Sequence, residues 1–167
     1  NTRVVPPNEL TVGSTAARFA FTFNYNVSRD SIPTALTFEE LKPEIQTDLT
    51  DEDGVIRFSA PQLHTWVDQP VVVQMQAADV NHAFWIPAMR VKQDVLVGRT
   101  TEIRFTPTMA GEYRIVCAEL CGSGHGAMAG EVDRDGNLVG AWLIVHESEE
   151  AYLAEFFDNA ATTVLVP

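Results

Sequence analysis

The stretch TEIRFTPTMAGEYRIVC, residues 101–117, carries the strongest indication of the fold. Ile103 and Phe105 alternate with polar residues, which is the two-residue period of a half-buried β-strand. After a break that contains proline and glycine, a second run ends at Cys117 and has Tyr113 on the same face. Two short strands separated by such a break are typical of an antiparallel sandwich or barrel.

Other short runs along the chain support an all-β fold. Between residues 17 and 25, four aromatic residues alternate with small or polar ones, which predicts a strand with one face in the core. Helices and strands do not alternate regularly, and this disfavours a nucleotide-binding α/β fold. The remaining predicted strands lie at 55–58, 71–76 and 143–145.

The length of 167 residues fits one domain, which we predict to span residues 1–167. Residues 1–15 contain two prolines and a glycine and are expected to form an irregular leader. An acidic excursion over 28–54 includes a predicted helix at about 38–48. A turn is predicted at 133–137, and a C-terminal helix capped by Ser148 at 147–157.

The net charge of −12 is the main compositional constraint on partners. Phosphate backbones would repel such a chain, so a nucleic-acid partner is excluded, whereas a basic protein partner would be attracted. No window approaches the roughly 20 apolar residues that cross a bilayer, and no signal peptide is visible. Any membrane anchor is therefore expected to lie upstream of these residues.

Potential metal ligands are concentrated in CAELCGSGHGAM, residues 117–128. Two thiols, one imidazole and one thioether fall within this loop, and its glycines allow the backbone to turn tightly. Soft sulfur ligands combined with imidazole favour copper or zinc over magnesium or calcium. Cys117 and Cys121 together could bridge two metal ions, which a single cysteine could not do.

Several alternatives remain open from the residues alone. The two cysteines could form a disulfide in a partner-binding sandwich, or bind zinc together with His125. A mononuclear blue-copper site and a copper chaperone would use similar ligands. A second histidine must come from outside the loop; His82 is favoured over His64 and His146 because of its position between two predicted strands.

Three motifs together resemble the copper A domain of cytochrome c oxidase subunit II. The loop at 117–128 reads Cys-x-Glu-x-Cys-Gly-x-x-His-x-x-Met. The segment 79–87 reads Asp-Val-x-His-x-Phe-Trp-x-Pro, and 91–99 reads Val-Lys-x-Asp-x-x-x-Gly-Arg. The resemblance covers about residues 17–25 and 56–132 and resumes at 143–157.

This resemblance implies a cupredoxin-like Greek-key β-barrel or sandwich with two copper ions. In the family, the Glu119 carbonyl oxygen is a copper ligand, while the Glu119 side chain and Asp94 would hold a magnesium or manganese ion at the interface with subunit I. The implied copper ligands are His82, Cys117, Glu119, Cys121, His125 and Met128.

The implied function is electron transfer without bond chemistry in the domain itself. Single electrons would pass from cytochrome c, or another small donor, to the low-spin haem of subunit I in a proton-pumping oxidase. The domain would lie on the periplasmic side of a bacterial membrane. The copper A domain of nitrous oxide reductase shares the ligands, but Glu119 and Asp94 favour the oxidase.

Three features depart from the family pattern. Phe19 and Phe21 stand where the family usually has tryptophans, the first of which is the electron entry point. Residues 133–142 look like an insertion, and Arg90 replaces a smaller residue. None of these positions is an implied ligand.

Overall fold

The computed structural model describes residues 6, 8–28, 50–52 and 55–156. Within them the chain forms fourteen strands, one α-helix and two short 3-10 helices, at Pro87–Met89 and His125–Met128. In chain order the strands and the α-helix are β1 (Leu10–Ala17), β2 (Ala20–Ser28), β3 (Thr50–Glu52), β4 (Val55–Ala60), β5 (Leu63–Trp66), β6 (Val71–Ala77), β7 (His82–Ile86), β8 (Val91–Val95), β9 (Thr101–Phe105), β10 (Gly111–Arg114), β11 (Val116–Cys117), β12 (Glu131–Val132), β13 (Leu138–Val139), β14 (Trp142–His146) and α1 (Glu149–Phe156).

The described strands form one large sheet and three small ones. The large sheet has the order β3-β4-β2-β1-β6-β9, and the others are β10-β14-β5, β11-β7-β8 and β12-β13. One hydrophobic cluster joins the three larger sheets to α1 through buried residues such as Phe23, Phe84, Leu143 and Phe156. The predicted all-β fold with a short C-terminal helix is therefore confirmed.

Two strand pairs are parallel, although the sequence pattern suggested an antiparallel arrangement. β1 pairs with β6 and β5 pairs with β14 in parallel register. Parallel neighbours need a long crossover connection, and each of these pairs is separated by other strands that supply one. The alternation of apolar and polar residues within one strand does not indicate whether its partner is parallel or antiparallel.

The prediction of an irregular leader over residues 1–15 is wrong from Leu10 onward. β1 starts there and directs Val12, Ser14 and Ala16 into the interior, with exposures of 0%, 3% and 0%. Its inward positions are partly small or polar, which hides the alternation that normally marks a strand. The strand lies between β2 and β6.

The aromatic strand predicted at 17–25 is shorter than expected. β2 begins at Ala20, and its side chains Phe21, Phe23 and Tyr25 are buried. Phe19 lies instead in the two-residue turn between β1 and β2, where Ala17 pairs with Ala20. Phe19 is therefore partly exposed, and its ring packs against the edge of the core beside the loop at 117–128.

The run predicted as one strand ending at Cys117 is divided between two sheets. β10 pairs with β14, whereas β11 pairs with β7. Between them, the Ile115 N–H donates to the Ala141 carbonyl at 3.0 Å, and the Ile115 carbonyl accepts from the Gly130 N–H at 3.0 Å. The chain thus crosses between sheets at a buried residue, and Cys117 lies beside β7.

The predicted turn at 133–137 joins β12 to β13. One carboxylate oxygen of Asp133 accepts the N–H groups of Asp135 and Asn137, both at 2.9 Å. The Asn137 side-chain amide donates to the other oxygen at 3.0 Å and is the largest cause of the lowered pKa of Asp133, followed by the backbone N–H groups. Within the acidic excursion at 28–54, the structure describes β3, which pairs with β4 at the edge of the large sheet. The helix predicted at 38–48 lies outside the described residues.

The predicted C-terminal helix is confirmed as α1. Ser148 caps it, since its hydroxyl oxygen accepts the Ala151 N–H at 3.2 Å. Tyr152, Leu153 and Phe156 form the buried face that packs on β5 and β14. Among the residues that the structure describes, none belongs to a helix with the length and apolar character needed to cross a bilayer.

Candidate metal centre

His82 is the first residue of β7, a strand that the sequence analysis did not predict. Antiparallel pairing of β7 with β11 sets Cys117 opposite Phe84, two residues beyond His82. The His82 side chain is fully buried, and its Nδ1 lies 3.8 Å from the Cys117 Sγ. Sheet register therefore joins an imidazole and a thiol that are 35 positions apart in the chain.

The two cysteines lie together in the interior. Cys117 ends β11 and Cys121 follows in the loop, with exposures of 2% and 6%. Their sulfur atoms and one ring nitrogen of His82 all lie within 4.8 Å of one another. Both thiols are free, so the structure does not adopt the disulfide alternative.

His125 and Met128 are the ends of the 3-10 helix that follows Cys121. Residues three apart in a 3-10 helix project from the same side. The Cys121 Sγ accordingly lies 3.5 Å from the His125 Nδ1 and 3.4 Å from the Met128 Sδ. Met128 is buried, whereas His125 is partly exposed.

Glu119 contributes its backbone to the cluster and points its side chain outward. The Cys117 thiol donates to the Glu119 carbonyl oxygen at 3.2 Å, while the Glu119 side chain is exposed. Asp94, also exposed, pairs with Ala83 in the β7–β8 ladder. The Ala83 carbonyl accepts the Ala118 N–H at 2.9 Å, so Asp94 and the start of the loop flank the same point of β7.

Asp79 orients His82, a role that the sequence analysis missed. Its Oδ1 lies 3.0 Å from the His82 Nε2, and its Oδ2 accepts from the backbone N–H and the Nε–H of Arg18. The pKa of Asp79 is held well below its usual value, first by the His82 hydrogen bond and then by the N–H groups of Arg18 and Val80. The sequence did contain a signal for this role, since an aspartate lies three residues before the histidine.

This hydrogen bond fixes which nitrogen of His82 can bind a metal. A carboxylate only accepts, so the proton lies on Nε2, and Nδ1 keeps its lone pair toward the Cys117 sulfur. Carboxylate–histidine pairs of this kind are the usual support of a metal-binding imidazole. Nδ1 is thus the nitrogen of His82 that could bind a metal ion.

The environment and the donor types fit a soft metal. Burial raises the pKa of the Cys121 thiol, and the neighbouring Cys117 raises it further. A cation among these atoms would offset both effects by stabilising the thiolates. Two sulfurs, two imidazole nitrogens, a thioether and a carbonyl oxygen form a donor set suited to copper.

The two aromatic residues named as electron entry points contact different parts of the cluster. A Cβ placed on Gly124 would overlap the Phe19 ring, and one on Gly122 would lie 3.3 Å from it, so this ring lies directly on the loop. Phe21 is buried, and its ring meets the His82 ring edge-on at a centroid distance of 6.4 Å.

The other two histidines considered as partners do not join this cluster. The His64 Nδ1 lies 3.0 Å from the His146 Nε2, in a separate group with Glu155. The preference for His82 as the second imidazole therefore agrees with the geometry.

A β-sandwich that gathers two buried thiols, two imidazoles and a thioether at one end belongs to the cupredoxin-like class. A solved structure with this fold, the periplasmic domain of subunit II of cytochrome oxidase (CoxB) of Bradyrhizobium japonicum, matches with a TM-score of 0.60 and 25% identity. The match covers 95% of this chain and 98% of that one. The family model for the cytochrome c oxidase subunit II periplasmic domain matches residues 10–134, and the chain belongs to that family.

Curated relatives carry the same family name. Cytochrome c oxidase subunit 2 of Synechocystis is 48% identical over 77 residues, which are 46% of this chain and 22% of the relative. That of Cereibacter sphaeroides is 28% identical over 139 residues, covering 77% of this chain and 46% of the relative. The chain thus spans between about a fifth and a half of the length of these relatives.

Proposed function

We propose that this chain binds two copper ions in one binuclear centre and transfers single electrons within a terminal oxidase. The main evidence is that the sulfurs of Cys117 and Cys121 lie in one buried cluster with a nitrogen of His82. Two sulfurs this close together could each contact both metal ions. A mononuclear copper site would need only one cysteine sulfur.

Each donor has its own role in this proposal. The Cys117 and Cys121 thiolates would hold both copper ions, and His82 and His125 would each bind one through Nδ1. Met128 would be a weak ligand of one copper, and the Glu119 carbonyl oxygen a weak ligand of the other. When bound, two copper ions that share one unpaired electron supply electron transfer with little change of geometry.

The protein contributes a rigid and dry ligand frame. Ladder bonds between β7 and β11 hold the first histidine against the first cysteine, and Asp79 fixes the ring. Burial of His82, Cys117, Cys121 and Met128 keeps water from the donors. Pre-ordered ligands reduce the reorganisation that each electron transfer would otherwise require.

The proposal extends to the partners of the complex. Electrons would arrive from cytochrome c, or a similar small basic donor, and leave for the low-spin haem of subunit I. Family membership and the net charge of −12 support this assignment. Glu119 and Asp94 would hold magnesium or manganese at the subunit I interface, with the domain on the periplasmic side of the membrane.

Phe19 and Phe21 are the proposed entry region for the electron. Phe19 is partly exposed and lies on the loop, so a donor protein can approach within a short distance of the ligands. Phe21 is buried and contacts the His82 ring. Since neither ring is a tryptophan, the route depends on proximity rather than on an indole group.

The decisive experiment is electron paramagnetic resonance on the copper-loaded chain together with copper counted per chain. We expect two copper ions and a signal from one electron shared equally by two copper nuclei. Cys117→Ser should abolish the shared signal, whereas Ser123→Ala, an exposed change in the same loop, should preserve it.

Each alternative function gives a different outcome. One copper with a localised signal would indicate a mononuclear site. Colourless copper(I) that does not cycle would indicate a carrier of copper rather than of electrons. A copper A domain of nitrous oxide reductase would give the same signal, but it would not need the carboxylates of Glu119 and Asp94.

A further inference from the structure

A second cluster of metal-binding side chains lies apart from the centre described above. His64 comes from β5, His146 from the end of β14 and Glu155 from α1. One ligand atom from each lies within 4.8 Å of the others. The shortest contact is 3.0 Å, between the His64 Nδ1 and the His146 Nε2.

The fold brings these three residues together from distant parts of the chain. In the parallel β5–β14 pair, His64 is opposite Ile144 and His146 is opposite Trp66, so the two histidines are diagonal neighbours. Side chains two residues apart on a strand point to the same face. α1 packs on both strands, and its last turn brings Glu155 to that face.

The surroundings of this cluster are apolar and aromatic. His64 is 6% exposed, and the Phe156 ring meets its ring edge-on at a centroid distance of 5.2 Å. The Tyr152 ring lies 6.2 Å from that of His146. Ionic attraction is stronger in apolar surroundings than in water, so a cation would be bound more firmly by the Glu155 carboxylate here than in solution.

The distance between the two imidazole nitrogens is close to the separation found in a metal site. Metal–nitrogen bonds of about 2.0–2.1 Å in a tetrahedral site set two ring nitrogens roughly 3.3 Å apart. The observed 3.0 Å requires a shift of only a few tenths of an ångström. In the hydrogen bond between these nitrogens one ring carries the proton, which metal binding would release. The ion would lie beside the line between the nitrogens, so both rings, which are now nearly coplanar, would turn toward it.

We propose that His64, His146 and Glu155 form a second metal site that takes Zn²⁺ or a similar divalent first-row ion. Two imidazoles and one carboxylate are a common zinc ligand set, and they leave a fourth position for water. The set contains no sulfur, so it does not share the preference of the first centre for copper(I). Because its ligands come from two strands and a helix, the bound ion would fasten α1 to the sheet.

The test uses the whole 167-residue chain with Cys117→Ser and Cys121→Ser, which removes both thiols from competition. Zn²⁺ binding is measured by calorimetry, and Co²⁺ provides absorption bands that report the ligand geometry. We expect one ion per chain and a higher melting temperature in saturating Zn²⁺. His146→Gln and Glu155→Gln should each weaken binding at least about tenfold and reduce the thermal shift at the same Zn²⁺ concentration.

Glu149→Gln is the matched control, since it removes the same charge from an exposed position of the same helix. It should leave the affinity for Zn²⁺ unchanged. Equal affinity in the parent, His146→Gln and Glu155→Gln chains, or no bound ion in the parent, would overturn the second site. If the double serine variant fails to fold, the copper-loaded wild-type chain is titrated with Zn²⁺ instead, because copper then occupies the thiols. Failure of the second site in this test would not affect the proposed copper centre.

Discussion

The Asp79 Oδ1 lies 3.0 Å from the His82 Nε2, on the side of the imidazole opposite the nitrogen that faces Cys117. Asp79 is itself anchored by the backbone and guanidinium N–H groups of Arg18. The turn between β1 and β2 is thereby linked to the first histidine of the metal centre. The orientation of the His82 ring therefore depends on a residue outside the cluster of candidate ligands.

Replacing Asp79 with alanine should weaken copper binding about 10- to 100-fold, because the imidazole loses its orienting acceptor. Competition with a copper chelator measures the affinity. Asp135→Ala, an exposed carboxylate in the 133–137 turn, is the control and should have no effect. Unchanged copper affinity in Asp79→Ala would show that His82 is held by its strand alone.

Gly124→Ala should destabilise the protein by about 1–3 kcal/mol, because the added methyl group would overlap the Phe19 ring. Gly126→Ala is a matched control in the same loop, since nothing lies within 4 Å of a Cβ there. Chemical denaturation of the metal-free chains measures the difference. In a Phe19→Ala background the cost of Gly124→Ala should largely disappear; a cost that persists there would mean that the ring is not its cause.

Met128→Leu should retain both copper ions and raise the reduction potential, since a weak donor to the oxidised centre is lost. Leucine is similar in volume, so the buried position should tolerate it. Redox titration in the visible range gives the potential. Met75→Leu, which changes a buried methionine of β6, should leave the potential unaltered; loss of a copper ion from Met128→Leu would contradict the weak-ligand role.

Raising the salt concentration should slow reduction by a basic cytochrome c about tenfold or more, because the chain carries a net charge of −12. The screening length falls from about 10 Å at 0.1 M to about 3 Å at 1 M salt. Stopped-flow reduction rates measure the effect, with an uncharged small reductant as the control. A rate that does not change with salt would remove electrostatic steering from the proposed docking.

Local parts of this protein could be read directly from its sequence. The donors between Cys117 and Met128 lie in one loop, and their spacing limits how far apart they can be. The three-residue step from His125 to Met128 needs only one turn of 3-10 helix. The alternating strands, the Asp133 turn and the Ser148 cap depend on neighbours in the chain and were predicted for that reason.

Long-range pairing was beyond local patterns. The β1 strand was missed because its inward residues are small, and the run ending at Cys117 was divided because Ile115 crosses between sheets. The support of His82 by Asp79 required both side chains to be oriented by the fold. None of these features alters the spacing of apolar residues in its own segment, which is what local prediction uses.

The sequence alone determined the types of candidate donor, their preference for copper or zinc over magnesium or calcium, and the all-β class, because each follows from residue chemistry and short-range spacing. Only the tertiary structure decided which histidine approaches the two thiols. His82 was selected by the β7–β11 register, while His64 and His146 were brought together by β5 and β14. Strand partners are chosen by the apolar surface that the whole sandwich buries, and no single segment contains that information.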